Sequence, residues 1–218
     1  MANKPAEPKR ASWWERHAVP RLIRFACGAP QVMKRRAAIV PLARGAVFEL
    51  GCGGGLNQQF YDAHGVTRFA GVDPNGKLRE YAAAEARARG WDADIRGGVG
   101  EAIPFPDESF DTVVSTFTLC SVRDQQQVLR ETRRILRPGG ALLFLEHGAA
   151  PDPGVARWQK RIEPVWKPLA GGCHLTRPIA AAVEEGGFAV DRIGEGYAPA
   201  TPRPLGWMEW GIGRKKGA

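Results

Sequence analysis

The sequence predicts an α/β fold built on a doubly wound, mostly parallel sheet of seven strands. From Ala46 onward, short apolar runs alternate with helical segments, which is the pattern of strands joined by crossover helices. The run within residues 109–122 is rich in β-branched residues, as expected of a strand buried on both faces. Four glycines follow the first run, where such sheets bind ligands. The 218 residues suit one domain with a sizeable core.

The elements follow from these runs in chain order. The predicted strands are 46–50, 68–73, 93–99, a run within 109–122, 141–147, 188–193 and 207–216. Predicted helices are one directly after the glycines and others at 75–90, 123–140 and 176–188. Asp124 and Thr176 are the predicted N-caps of the last two, because short polar side chains accept hydrogen bonds from the first free N–H groups.

The first 45 residues are predicted to form a separate arm. They hold ten Lys and Arg against Glu7 and Glu15, whereas residues 46–218 carry equal numbers of basic and acidic residues. The stretch from Trp13 to about Leu42 looks helical, and serves either as a lid or as an interfacial helix. The basic charge has three interpretations, namely a solvated face, peripheral contact with anionic membrane, or contact with nucleic acid. We expect no nucleic-acid partner, because the body is neutral.

Residues 46–218 form the predicted main domain, with a cap inserted at about 148–176. That connection is longer than an ordinary one, and such excess length is often functional. No run of eighteen apolar residues and no secretory signal are found, so we expect a cytoplasmic protein. The four cysteines are widely spaced without a CxxC pair, so no metal site is predicted. The sequence does not predict an oligomeric state.

The glycine-rich stretch "ELGCGGG" can be compared with three known patterns of ligand-binding loop. A phosphate-binding P-loop requires a Lys and a Ser or Thr that are missing here, and a GxGxxG dinucleotide loop meets Leu56 at its third position. The pattern E-x-G-x-G-x-G fits fully, with Glu49, Gly51 and Gly53 at its start. Glycine lets the backbone turn tightly and approach a ligand without a Cβ in the way.

An acidic residue follows the second predicted strand. Asp73 ends that strand twenty-two residues after Gly51, where a carboxylate can accept both hydroxyls of a ribose. The alternative is a plain N-cap of the next helix. The loop 100–111, "GEAIPFPDESFD", then follows the third strand and would lie beside the base of a nucleoside.

Together, "ELGCGGG", "VDPN", "IPFPDESFD" and "ILRPGGALLFLEH" resemble the class I S-adenosylmethionine-dependent methyltransferases over roughly residues 40–195. The resemblance implies a Rossmann-like sheet with an antiparallel last edge strand, and S-adenosyl-L-methionine as cofactor. It also implies cofactor-binding roles by position: Glu49, Gly51, Cys52 and Gly53 at the methionine part, Asp73 and Pro74 at the ribose, Gly100 and Glu101 at the adenine, and Thr118 beside the methyl group. Where many relatives carry an Asp that faces the adenine, this chain has Val99.

A narrower resemblance concerns the acceptor. "GLNQQFYD", "TFTLCSV", "LEHG" and "GGCHLTRP" are similar to the branch with the alkyl-thiol S-methyltransferases, which implies a small-molecule acceptor such as a thiol or another soft nucleophile. The alternatives are a phospholipid headgroup or quinone at the membrane surface, and a cofactor-binding module without catalysis. His147 and His174 are the candidate catalytic residues, with structural hydrogen bonding as the alternative for His147.

Overall fold

One seven-stranded sheet forms the centre of the protein in a computed structural model, which describes residues 24, 25 and 27–216. The strands lie in the order β3-β2-β1-β4-β5-β7-β6. They are β1 (Gly45–Leu50), β2 (Val66–Asp73), β3 (Ala93–Gly97), β4 (Phe110–Thr116), β5 (Leu136–His147), β6 (Phe188–Tyr197) and β7 (Trp207–Lys215). All neighbours from β3 to β5 are parallel, which confirms the predicted fold class.

The described helices connect or flank these strands. They are α1 (Pro30–Ile39), α2 (Gly76–Ala88), α3 (Gln125–Ile135), α4 (Pro153–Leu169), α5 (Ile179–Glu185) and α6 (Arg203–Gly206). The N-cap of α3 is Asp124 as predicted, since its side chain accepts from Gln127 N. Thr176 is not the cap of α5, which begins after Pro178, because Thr176 bonds instead to the Glu163 carboxylate. None of the described helices is both long and apolar enough to cross a membrane.

The last strand departs from the predicted edge position. β7 is antiparallel as predicted, but it lies between β5 and β6, and the edge strand is β6. Small residues allow this, because a Cβ on Gly211 would lie 3.0 Å from the Phe144 ring, and one on Gly213 would lie 3.0 Å from Val183. The glycines therefore let neighbouring side chains pack onto an internal strand. Arg214 and Lys215 come at its end, and the one acid within it, Glu209, is buried and accepts from Ala180 N at 2.8 Å.

The predicted helix after the glycines is not found in the described structure. A single 3-10 turn, Gln58–Phe60, joins the loop to the connection before β2. Asn57 and Gln58 are fully buried, and their amides bond to Glu49 Oε1 and to the Ala82 carbonyl. Polar side chains thus point inward where a helix would need apolar ones, so the segment folds as a hydrogen-bonded loop.

Both faces of the sheet are covered. Phe48, Phe110 and Phe144 belong to the larger apolar cluster on one face, while Val47 and Val114 belong to a second cluster on the other. Alternate residues of one strand thus serve opposite clusters, as in a doubly wound sheet. This packing fixes the carboxyl ends of β1, β2 and β4, where the candidate site lies.

Candidate active site

A cavity of about 600 Å³ opens beyond the carboxyl ends of β1, β2 and β4. Its walls come from the loops after these strands and after β3, as expected for a sheet of this kind. The nine residues predicted to bind the cofactor all line it, and they are Glu49, Gly51, Cys52, Gly53, Asp73, Pro74, Gly100, Glu101 and Thr118. Parallel strands end at the same edge of the sheet, which brings these separate loops together.

The glycine loop is shaped by one close approach. Gly51 has φ +64°, and a Cβ there would lie 2.3 Å from Thr118 Oγ1. Both the backbone angle and the contact therefore require glycine at this position. At Gly53, which has φ +50°, a Cβ would meet nothing closer than 3.8 Å, so there the backbone angle is the constraint. Cys52 is buried between them, and burial raises the pKa of its thiol, which keeps it uncharged.

Asp73 is fixed by backbone hydrogen bonds. Its Oδ2 accepts from Gly53 N at 3.0 Å and its Oδ1 accepts from Asn75 N at 2.8 Å. Burial raises the pKa of Asp73, and these two N–H groups oppose the shift. The carboxylate joins the glycine loop to the end of β2, and its remaining lone pairs are available to a ligand in the cavity.

Glu49 is the most deeply buried acid on the cavity wall. Its Oε1 accepts from Asn57 Nδ2 at 2.6 Å, while its Oε2 has no well-formed hydrogen bond among the described residues. Burial raises the pKa of Glu49 to about 8, against the lowering effects of Asn57, Arg36 and Tyr61. A cation that entered the cavity would satisfy this carboxylate.

The part of the loop after β3 that lines the cavity offers mainly backbone. Glu101 lines the cavity, yet its Oε1 already accepts from Arg123 N at 2.8 Å and Asp124 N at 3.2 Å, at the start of α3. Gly100 is buried, and a Cβ there would lie 2.9 Å from Leu50 Cδ1. Val99 is 47% exposed. An adenine held here would therefore meet backbone groups and the apolar Val99 side chain.

Three residues before β1 also line the cavity, and sequence reasoning did not identify them. They are Arg24, Cys27 and Arg36. Arg36 is 4% exposed, and its Nη1 donates to Asn57 Oδ1 at 2.5 Å and to Thr116 Oγ1 at 2.6 Å. No local motif marks Arg36, because its partners lie far along the chain.

Glu146 holds the loop that follows β4. This fully buried carboxylate accepts from Ser115 Oγ at 2.7 Å and from the backbone N–H groups of Thr118, Leu119 and Cys120 at 3.0, 3.0 and 3.2 Å. Phe117, at the start of the loop, has φ +57°, which is rare for a bulky side chain. Glu146 thus fixes the cavity wall around Phe117 and Thr118.

Neither of the two candidate catalytic histidines lines the cavity, and each has a different partner. The ring centroid of His147, at the end of β5, is 4.9 Å from that of Phe117, which does line the cavity. His147 Nδ1 lies 3.6 Å from Cys173 Sγ, and that sulfur lies 3.5 Å from Cys120 Sγ. His174 Nδ1 lies 3.0 Å from Glu163 Oε1 of α4. Spacing along the chain did not indicate this cluster of two cysteines and a histidine, because spacing does not show which loops meet.

The helix of the predicted cap has one buried side and one exposed side. Trp158 is 56% exposed, whereas Trp166, eight residues later, packs against the core. Pro164 and Pro168 lie within α4, and each lacks the N–H that would donate to the carbonyl four residues earlier. Gly171, just after α4, lines the cavity.

Comparison with known proteins finds both a family model and similar relatives. A family model described as a methyltransferase domain matches residues 48–144. The thiol S-methyltransferase TMT1B of Rattus norvegicus is 36% identical over 169 residues, which are 76% of this chain and 66% of that protein. The human protein of that name is 38% identical over 170 residues, covering 76% and 67%. The chain thus spans about two thirds of the length of these relatives.

Among solved structures, a SAM-dependent methyltransferase from Thermotoga maritima superimposes with a TM-score of 0.64. The sequences are 20% identical, and the alignment covers 93% of this chain and 98% of the other. This similarity concerns the arrangement of strands and helices.

Proposed function

The chain belongs to the S-adenosylmethionine-dependent methyltransferases, and from this premise we propose that it transfers a methyl group from that donor to a small thiol. One observation supports the proposal most strongly: nine residues predicted from separate motifs line one cavity. A thiol acceptor is favoured because the rat and human relatives are named thiol S-methyltransferases, and this chain covers about two thirds of each.

The residues present fit this cofactor. A cavity of about 600 Å³ is within the usual range for such ligands. When bound, the donor supplies an electrophilic methyl group on a positively charged sulfur. In the proposal, Asp73 accepts the ribose hydroxyls, and Oε2 of Glu49, which has no well-formed hydrogen bond among the described residues, meets the ammonium group. The glycine loop brings backbone, without side chains, against the remainder.

The chain must also position the acceptor. Much of the catalysis of an in-line displacement is alignment, and a thiol must lose its proton to react. In the proposal, the residues before β1 and the cap at 148–176 cover the cavity, because Arg24, Cys27 and Gly171 already contribute to its wall. His147, whose ring contacts Phe117 of the cavity wall, remains a candidate for the acceptor side, and His174 is assigned to holding the cap through Glu163.

The test is release of S-adenosylhomocysteine by the purified protein with a panel of acceptors. The panel holds small alkyl thiols, sulfide, phosphatidylethanolamine in liposomes, and a quinol. We expect release with thiols only. Asp73→Ala should abolish it, while the matched control Asp94→Ala, which removes a carboxylate paired with Arg96 on β3, should retain it. Release with lipid or quinol alone would contradict the thiol assignment, and tight donor binding without turnover would indicate a binding module.

A second candidate, a phospholipid headgroup or quinone acceptor, has its own supporting observation. Trp158, Val165 and Leu169 form an exposed apolar stripe along α4, with exposed fractions of 56%, 66% and 48%. Arg161 lies beside it, with its guanidinium carbon 5.6 Å from the centroid of the Trp158 ring, and Arg157 precedes Trp158 in the chain. Apolar and basic side chains together suit an anionic membrane surface. Sedimentation with anionic liposomes tests it: binding that Trp158→Ser and Val165→Ser weaken, and Ala181→Ser on α5 does not, would favour this candidate.

A further inference from the structure

Three segments singled out in the sequence meet behind the cavity wall. Cys120 lies in the loop after β4, His147 ends β5, and Cys173 follows α4. The ligand atoms of all three lie within 4.8 Å of one another. Cys120 is fully buried and Cys173 is 5% exposed. Two buried thiols around one imidazole are the ligand types that bind zinc, and a Cys₂His set with one open position is found in catalytic zinc sites.

The distances agree with tetrahedral coordination. Zn–S bonds of about 2.3 Å and Zn–N bonds of about 2.05 Å place two sulfur ligands about 3.8 Å apart, and sulfur and nitrogen about 3.6 Å apart. The observed separations are 3.5 Å between the two sulfur atoms and 3.6 Å from Cys173 Sγ to His147 Nδ1. Since no pair exceeds 4.8 Å, only a small rotation of His147 or Cys120 would complete the geometry.

The surroundings hold the three residues in place. Glu146 accepts from Cys120 N at 3.2 Å, and Arg177 donates to the Leu119 carbonyl at 2.7 Å. His174 N donates to the Cys120 carbonyl at 2.8 Å, which ties the segment of Cys173 to the loop of Cys120. Such bonds around the ligands make a site rigid before a metal arrives.

A second observation points to a charged sulfur. The indole Nε1 of Trp166 is buried without a hydrogen-bond partner among the described residues, and Trp166 packs against the core cluster that includes Cys120 and Cys173. A buried N–H without an acceptor is costly. A metal-bound thiolate at Cys173 would accept from it. Two thiolates, a neutral imidazole and a divalent cation also carry no net charge, which suits a buried position.

We propose that Cys120, His147 and Cys173 bind one thiophilic divalent cation, with zinc as the expected ion. Three protein ligands leave the fourth tetrahedral position open. The site adjoins the cavity wall, because Phe117 and Ser121 line the cavity, and Phe117 contacts the ring of His147 while Ser121 follows Cys120 in the chain. If the proposed function holds, on which this extension rests, the fourth ligand is the acceptor sulfur, held as a thiolate after its proton passes to water.

Metal binding is tested on the full chain without donor or acceptor. The protein, reduced and stripped by a chelator, is titrated with zinc and with cobalt(II). We expect one equivalent of either, with cobalt giving the visible bands of four-coordinate geometry and thiolate charge transfer. Cys120→Ser, Cys173→Ser and His147→Ala should each weaken binding by more than the roughly 10–100-fold that changes around a metal site cost. The controls Cys52→Ser and His64→Ala should bind normally.

The outcomes separate this proposal from the proposed function. The metal proposal is overturned if the protein binds no metal, or if the Cys120, His147 and Cys173 variants bind it as the wild type does. A disulfide between Cys120 and Cys173 under reducing conditions would overturn it as well. Circular dichroism of each variant shows whether it is folded, and the two serine variants change only one atom in case His147→Ala fails to fold. Adding a small alkanethiol to the cobalt form should raise the charge-transfer intensity by about half, from two thiolates to three, and no change would overturn the extension alone.

Discussion

Glu49 is a buried carboxyl group on the cavity wall, and burial makes its ionised form costly in the free protein. Burial raises its pKa to about 8, so most of it is protonated at neutral pH in the free protein. Unfolded chains would lose this proton near pH 4.5. The stability that Glu49 contributes to the free protein therefore falls as pH rises from there to about 8, because ionising it costs more in the folded state. A bound cation would reverse that cost.

The first prediction is that donor affinity rises with pH between about 6 and 8, by up to about tenfold per pH unit, because the proposed function has the ionised form of Glu49 bind the ammonium group of the donor. Calorimetry in buffers of different ionisation enthalpy should also detect proton release on binding. In Glu49→Gln, both the pH dependence over this range and the proton release should be lost. The same slope in Glu49→Gln as in the wild type would show that another group titrates.

At the scale of elements, the loop after β4 depends on one residue of β5. Glu146 accepts four hydrogen bonds and holds the segment that carries Thr118 and Cys120. The loop also contains Phe117, whose positive φ is held by the surrounding contacts, including the guanidinium of Arg36 5.2 Å from its ring centroid. The conformation of this part of the cavity wall therefore depends on the Glu146 carboxylate.

Glu146→Gln should lower the free energy of unfolding by about 2–3 kcal/mol, because the amide places a donor against backbone N–H donors and leaves one unpaired. For a chain of this size, that corresponds to a fall in Tm of about 4–12 °C. Calorimetric or fluorescence melting measures it. The control Glu185→Gln, on an exposed residue at the end of α5, should stay within about 0.5 kcal/mol of wild type. An unchanged Tm for Glu146→Gln would mean that the loop does not depend on this carboxylate.

How far the elements could be predicted depended on the range of the interactions. β1, β2 and the α3 cap follow from neighbouring residues, and so does the convergence of Gly51 and Asp73, since parallel strands end at one edge. The loop in place of a helix after the glycines depends on where Asn57 and Gln58 find partners, and the position of β7 depends on packing against Phe144. The meeting of His147 with Cys173 likewise requires the tertiary structure.

At the scale of the whole molecule, the cavity joins distant parts of the chain. Residues before β1, the loops after three parallel strands and the segment after α4 all contribute to its wall. A ligand that contacts all of them adds its binding free energy to the stability of the entire fold, because the unfolded chain has no such site. Cofactor binding is therefore measurable as a global stability change.

Saturating donor should raise the Tm. At a hundred times Kd the stabilisation is about 2.7 kcal/mol, which for about 200 residues corresponds to a rise of roughly 5–11 °C. Differential scanning fluorimetry measures it, and the rise should be much smaller in Asp73→Ala than in Asp94→Ala at the same donor concentration. If both variants respond like the wild type, Asp73 is not part of the donor site.

The internal position of β7 has a consequence for synthesis on the ribosome. β6 emerges first, yet its hydrogen-bonded neighbour in the sheet is β7, and β5 also waits for that strand. Until residues 207–215 leave the exit tunnel, the nascent chain carries an open strand edge on β5 and an unpaired β6, both of which can pair with other chains. Translation that stops before β7 should thus yield an aggregation-prone fragment, a natural substrate for chaperones and proteases.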